Sequence, residues 1–160
     1  MKFSLNSHVL IAHWVPGFLV VMTVRSMLSS TSPLGESLRG KAHTGEAIAL
    51  LSIAVAAFLV GELLDAIRDL FEHLWDKFQP LRWDFFSTGT RDEVEKFKES
   101  HFTYYVFDCN VSLALLLVLI LEILNSAPAW TCIVLTIPLV IFAINAILLR
   151  VEMKPLMETK

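Results

Sequence analysis

Residues Asp108–Leu149 read DCNVSLALLLVLILEILNSAPAWTCIVLTIPLVIFAINAILL. Two long apolar runs flank the short stretch NSAPAW, Asn125–Trp130. Each run supplies the roughly 20 mostly apolar residues that an α-helix needs to cross a bilayer. The Asn, Ser and Pro between them mark a tight turn. The pair is therefore predicted as two spans, about 108–127 and about 129–149, joined by an outer hairpin turn.

Two further segments qualify upstream, about 8–29 and about 43–61. Composition agrees: 55% of the 160 residues are hydrophobic and only 18% charged, with a mean hydropathy of +0.61, far from the usual soluble balance. The first segment has one Lys before it and no small-residue cleavage site after it, so it is expected as a retained signal anchor. Strand signals, internal repeats and Gly-rich phosphate loops are missing. The fold class expected is an all-α membrane protein, a single domain over 1–160 with four transmembrane helices. Spans two and three are expected to extend into a cytosolic antiparallel helical hairpin over 62–107.

Orientation follows from the basic residues, which resist translocation. Lys2, Arg68, Lys77, Arg82, Arg91, Lys96, Lys98, Arg150, Lys154 and Lys160, ten of the thirteen, fall on the side shared by the termini and the middle segment. Arg25, Arg39 and Lys41 fall at the opposite face. Both termini are thus expected to be cytoplasmic in an inner or plasma membrane. Eleven of the sixteen acids lie between Glu62 and Asp108, so a basic nucleic-acid surface is not expected. Cys109 and Cys132 fall near opposite ends of their spans, too far apart for a disulfide, and neither forms a CxxC pair.

The connection Ser29–Gly45 has the Ser, Thr, Gly and Pro mixture of a loop. Pro16-Gly17, after His13-Trp14, is expected to bend the first helix.

The middle segment opens with GELLDAIRDLFEHLWDKF, Gly61–Phe78. At about 100° per residue, Glu62, Asp65, Asp69, Glu72 and Asp76 fall within a strip of about 80°. Leu63, Leu64, Ile67, Leu70, Phe71, Leu74, Trp75 and Phe78 centre almost opposite. As a cytosolic extension of span two, this helix would turn its acids to water and its apolar side to a partner helix. Carboxylates crowded at a membrane surface also suit a divalent cation. Gly61, Asp65 and Asp69 spell GxxxDxxxD, which resembles half of the CDP-alcohol phosphotransferase motif. The DxxDGxxAR half has no counterpart, so the resemblance assigns nothing. Glu122–Ala127, EILNSA, is similar to part of the small bacterial diacylglycerol kinase signature, but Pro128, Ala129 and Trp130 replace the acids that should follow, and it assigns nothing either.

Thr90 and Glu93 form a capping box that starts a helix near residue 91, with acids in its first turn as the helix dipole favours. This helix is expected to run unbroken into span three, making a stalk that reaches about 25 Å from the membrane over roughly 17 residues. On it Val94, Phe97, His101, Tyr104, Tyr105 and Asp108 share one strip, and His101, Tyr105 and Asp108 are spaced for a polar ladder along one face. Counted inward from the outer ends, His13, Glu62, Asp108 and Asn145 occupy one layer near the cytoplasmic headgroups. Between the helices, Trp83, Phe85 and Phe86 form an aromatic tip too large to leave wet.

Two functions follow. The favoured one is a non-enzymatic oligomeric anchor, sensor or channel-like subunit, a homo-oligomer in membrane lipid without a cofactor. It would engage a soluble cytosolic protein through Asp69, Glu72, Asp76, Trp83, Phe85 and Phe86. The alternative is a membrane enzyme working on lipid headgroups through His13, Glu62, Asp65, His101 and Asp108 with a divalent metal. A proton or ion pathway past Ser52, Thr136 and Asn145 is a weaker third.

Overall fold

The computed structural model describes residues 7–31, 44–81 and 83–158. Its helices are α1 (Ser7–Thr31), α2 (Thr44–Trp75), the short α3 (Phe85–Thr88), α4 (Arg91–Phe97), α5 (Thr103–Leu124) and α6 (Ala129–Glu158). A π-helical turn, Lys98–Phe102, joins α4 to α5. No strand occurs among the described residues. Lys2, Arg39, Lys41, Arg82, Lys160 and most of the Ser29–Gly45 connection lie outside them.

Three stretches are long and apolar enough to cross a bilayer, Leu50–Trp75, Arg91–Leu124 and Ala129–Met157, which marks an integral membrane protein. The apolar part of α1, Ile11–Met27, is shorter. The Thr90 capping box forms, with the Thr90 backbone N–H donating to Glu93 Oε2 at 3.1 Å. NSAPAW is the tight turn that its composition predicts, with Ser126 at a positive φ of 57°. α6 does not stop near 149. It continues to Glu158 because Met153 and Met157 there are buried in the inner apolar cluster.

α1 and α2 meet backbone to backbone. A Cβ added to Gly17 would fall 1.8 Å from the Ala57 carbonyl oxygen, and one added to Gly61 would fall 2.1 Å from that of His13. Ala57 and Gly61 are thus a small-xxx-small pair of the kind that lets membrane helices approach closely. Gly17, which with Pro16 is expected to bend the helix, serves this approach. Farther in, Val20, Leu64, Ala114 and Val118 join α1, α2 and α5 in one apolar cluster.

The helix over 61–75 faces the other way from its predicted sense. Leu63, Leu70 and Phe71 are 60%, 62% and 56% exposed, whereas the side chains of Glu72 and Asp76 are only 12% and 22% exposed. Two acids of the strip stay open, Asp69 at 62% and Glu62 at 50%. The physical reason is the surrounding medium. Hydrocarbon gives an apolar surface no reason to hide, while charged groups there gain by turning toward one another. The periodicity is real, and the exposed side from Leu63 to Phe71 is the apolar one, as a face turned to lipid would be.

Candidate functional site

The turned-in groups form a seam along the half of the bundle away from the NSAPAW turn, built around two arginines. Arg68 and Arg150 are 7% and 5% exposed. Their side chains can be buried because each guanidinium fork meets several oxygens at once. Arg68, on α2, is gripped by acids of its own helix: Asp65 one turn before, Asp69 Oδ1 at 2.6 Å, and Glu72 Oε1 at 3.0 Å from Nε one turn after. The last contact is an ion pair and not a well-aligned hydrogen bond.

Arg150, on α6, ties three parts of the chain together. Its Nη1 donates to the Tyr105 hydroxyl at 3.2 Å, and its Nη2 donates to the Gln79 carbonyl at 3.3 Å and to Asp76 Oδ1. The guanidinium lies over the Trp75 ring, 5.7 Å from its centroid, a cation–π contact. Asp76 also accepts a bond from Trp83 Nε1 through its other oxygen. One carboxylate therefore holds the last span and the aromatic tip.

Neutral amides complete the seam. Asn110, fully buried on α5, donates through Nδ2 to Asp65 Oδ1 at 3.1 Å and to the Ala12 carbonyl at 3.4 Å. Asn145 on α6 donates to Asp108 on α5. His13 Nδ1 lies 3.5 Å from Glu62 Oε1. The four residues placed at one depth by counting thus occur as two couples, His13 with Glu62 and Asp108 with Asn145.

The ladder of His101, Tyr105 and Asp108 runs differently. Tyr105 and Asp108 bond across to Arg150 and Asn145 of α6 rather than along their own helix. His101 is carried off the seam by the π turn. Its ring stacks on Phe97 with centroids 5.9 Å apart, and its Nδ1 is 2.6 Å from the Ser100 hydroxyl. The five residues of the enzyme alternative consequently fall in separate places: His13 with Glu62, Asp65 with Arg68, Asp108 with Asn145, and His101 outside. Among the described residues no group of three or more His, Cys, Asp or Glu is arranged to hold a metal ion. Where Asp65, Asp69 and Glu72 crowd together, the cation in their midst is Arg68.

The tip is covered by its own chain. Trp83, Phe85 and Phe86 pack against the cluster of Leu81, Phe97, Tyr105, Met153 and Met157. Phe86 meets Phe97 and Phe102 edge to face at 5.7 and 5.2 Å. The extension of α6 supplies the cover that a two-helix stalk lacks.

Between α2, α5 and α6 lies a cavity of about 250 Å³. Arg68, Glu72, Tyr105 and Arg150 border it, but its surface is almost wholly apolar, with Phe71, Trp75, Leu113, Ala143, Ala146 and Ile147 among its lining. Phe71, Trp75 and Ile147 of its lining are also exposed on the surface of the bundle. Arg68 and Arg150 had entered the sequence reading only as markers of orientation, and Asn110 not at all. An Arg on the edge of the acid strip, one turn from Asp65 and one from Glu72, was the available signal.

The chain was compared with protein-family models, with curated proteins and with solved structures, and it matches none of them.

Proposed function

We propose that this protein is a non-enzymatic membrane subunit of the sensor kind. In this reading α1 is a fourth span, both termini are cytoplasmic, and the segment between α2 and α5 is a cytosolic cap that closes over the inner ends of the helices. The orientation rests on the distribution of Lys and Arg.

The observation that carries the reading is the double engagement of Asp76, by Arg150 of the last span and by Trp83 of the cap. A shift of α6 against α5, or a competitor for Arg150, loosens the same carboxylate that holds the tip. Trp83, Phe85 and Phe86 then become available to a soluble protein. Burying each ring is worth roughly 1.5–3 kcal/mol, so the closed cap is the resting state and the partner must offer equivalent cover. The seam favours sensing over catalysis because its acids are already committed to arginines and amides, and His101 stands apart from them.

The test uses Asp76→Ala in lipid nanodiscs, with Trp14, Trp75 and Trp130 replaced by Phe so that Trp83 alone emits. In the parent, iodide in the buffer should quench Trp83 weakly; in the variant, strongly. Equal quenching in both would remove the clasp and the reading with it.

A further inference from the structure

Pro16 stands inside α1. Its ring nitrogen has no hydrogen to give to the carbonyl four residues before it, that of Ala12, and the ring crowds the same carbonyl. Ala12 is 1% exposed, so solvent does not meet the freed oxygen. A buried carbonyl left unbonded is costly, and prolines are tolerated in membrane helices where a neighbouring helix supplies the missing donor. Here the donor is Asn110 of α5, fully buried, whose Nδ2 lies 3.4 Å from the Ala12 oxygen. Its second hydrogen goes to Asp65 Oδ1 of α2 at 3.1 Å. One amide thus replaces the N–H that Pro16 lacks, and both of its hydrogens are committed in tying α5 to α1 and α2.

The two sides of Pro16 are held by different means. After it, Gly17 lies against the Ala57 carbonyl, and Val20 belongs to the apolar cluster of Leu64, Ala114 and Val118. Before it, the His13 carbonyl passes closely over Gly61, but the side-chain ties are weak. His13 Nδ1 stands 3.5 Å from Glu62 Oε1 and has no hydrogen-bond partner among the described residues, and Ala12 depends on the long bond from Asn110. A proline is where a helix bends sharply. The turns before Pro16 can therefore move as one piece while the rest of α1 stays packed.

We propose that Pro16 is a hinge and Asn110 its latch, so that the first turns of α1 form an arm with two positions, closed on Asn110 and swung away from it. When the arm swings, Asn110 loses one of its two acceptors and fixes Asp65 less firmly. Asp65 pairs with Arg68, Arg68 with Glu72, Glu72 lies against the Tyr105 hydroxyl, and Tyr105 accepts from Arg150, which holds Asp76. Contiguous polar contacts of this kind carry coupling when an element with two discrete positions biases them. The arm is that element. The hinge stands without the sensor reading; its effect on Trp83 rests on that reading and names its input.

Double electron–electron resonance in lipid nanodiscs tests the hinge, with Cys109 and Cys132 changed to Ser. Spin labels go to exposed positions: Ile11 on the arm paired with Ile147 of α6, and Met22 beyond the hinge paired with Ile137 of α6. Asn110→Leu keeps the size of the side chain and removes both bonds. An interhelical bond is worth about a factor of three in an equilibrium, so the swung fraction should rise about tenfold and appear as a second Ile11–Ile147 distance, with the Met22–Ile137 distance unchanged. Adding Pro16→Ala gives Ala12 the N–H of its own helix again and should remove the second distance. An unchanged Ile11–Ile147 distribution in Asn110→Leu, equal broadening of both pairs, or a second distance that persists with Pro16→Ala would overturn the hinge. If Asn110→Leu does not insert, Pro16→Ala alone decides: the Ile11–Ile147 distribution should be narrower than the parent's, and an equal width would overturn the proposal. The effect on the cap is read by iodide quenching in the chain whose only tryptophan is Trp83, where Asn110→Leu should raise quenching toward the level of Asp76→Ala. A rise with Asp76→Ala but not with Asn110→Leu leaves the clasp standing and defeats the arm as its input. No rise with Asp76→Ala defeats the sensor reading, and the distances still decide the hinge.

Discussion

The two halves of α2, divided at Gly61, hold their neighbours by different means. In the first half Ala57 and Gly61 let α1 come against bare backbone, and the one polar pair there, His13 with Glu62, sits at its edge. In the second half Arg68, Glu72 and Asp76 reach into a network of ions and amides that extends to α5 and α6. Hydrophobic burial explains neither half, since a leucine gains nothing by leaving lipid for protein. Helices in a bilayer must be joined by close shape or by polar ties. This one uses both in succession, and the polar half is where a ligand or a shift can intervene.

Breaking the second half at its centre should have the largest effect. Arg68→Ala leaves the half-buried Asp65 and Glu72 with no countercharge, and loss of one partner of a buried ion pair costs about 3–5 kcal/mol. Reversible unfolding in bicelles should show the folded fraction collapsing. A loss below about 1 kcal/mol would mean that the cluster is hydrated and that the second half is not a seam at all.

The first half is broken by a single methyl group. Gly61→Ala places a Cβ within 2.1 Å of the His13 carbonyl oxygen, and overpacking of this sort costs about 1–3 kcal/mol. The same assay should show α1 detaching, with disulfide crosslinking between cysteines introduced in α1 and α2 reduced, while contacts between α5 and α6 persist. Unchanged crosslinking would refute the close approach.

Smaller effects sharpen the contrast within the seam. Asn145→Ala removes one hydrogen bond to Asp108 and should cost about 0.6 kcal/mol, the average for interhelical polar contacts in a membrane protein. Asp69→Asn, at the exposed edge of the Arg68 cluster, should change stability by less than about 0.5 kcal/mol. If Asp69 proved as costly as Arg68, the boundary between seam and surface would be misplaced.

Much of the architecture was legible in the sequence because its signals are local. Apolar runs give the long helices, TRDE at Thr90–Glu93 gives a helix start, and NSAPAW gives the turn. Counting residues inward groups His13, Glu62, Asp108 and Asn145, and the structure pairs them as His13 with Glu62 and Asp108 with Asn145. The direction of the acid strip was not legible, because a period of 3.6 separates two faces without saying which solvent each one meets. The same ambiguity hid Arg68 and Arg150, whose positive charges count identically toward orientation whether they point to water or into a seam. The cover over Trp83, Phe85 and Phe86 was missed for another reason. It depends on α6 continuing past Leu149, where Arg150, Glu152, Lys154 and Pro155 interrupt the apolar pattern although Met153 and Met157 remain on the packed face.

Site-directed spin labelling of Leu70 tests the inward seam most directly, in nanodiscs and with Cys109 and Cys132 first changed to Ser. Leu70 lies on the exposed apolar face opposite Glu72. A label there should be relaxed efficiently by oxygen, which concentrates in the hydrocarbon, and poorly by a water-soluble nickel chelate. Strong relaxation by the chelate with little effect of oxygen would put this face in water, make residues 61–78 a solvated stalk, and contradict the inside-out reading of α2.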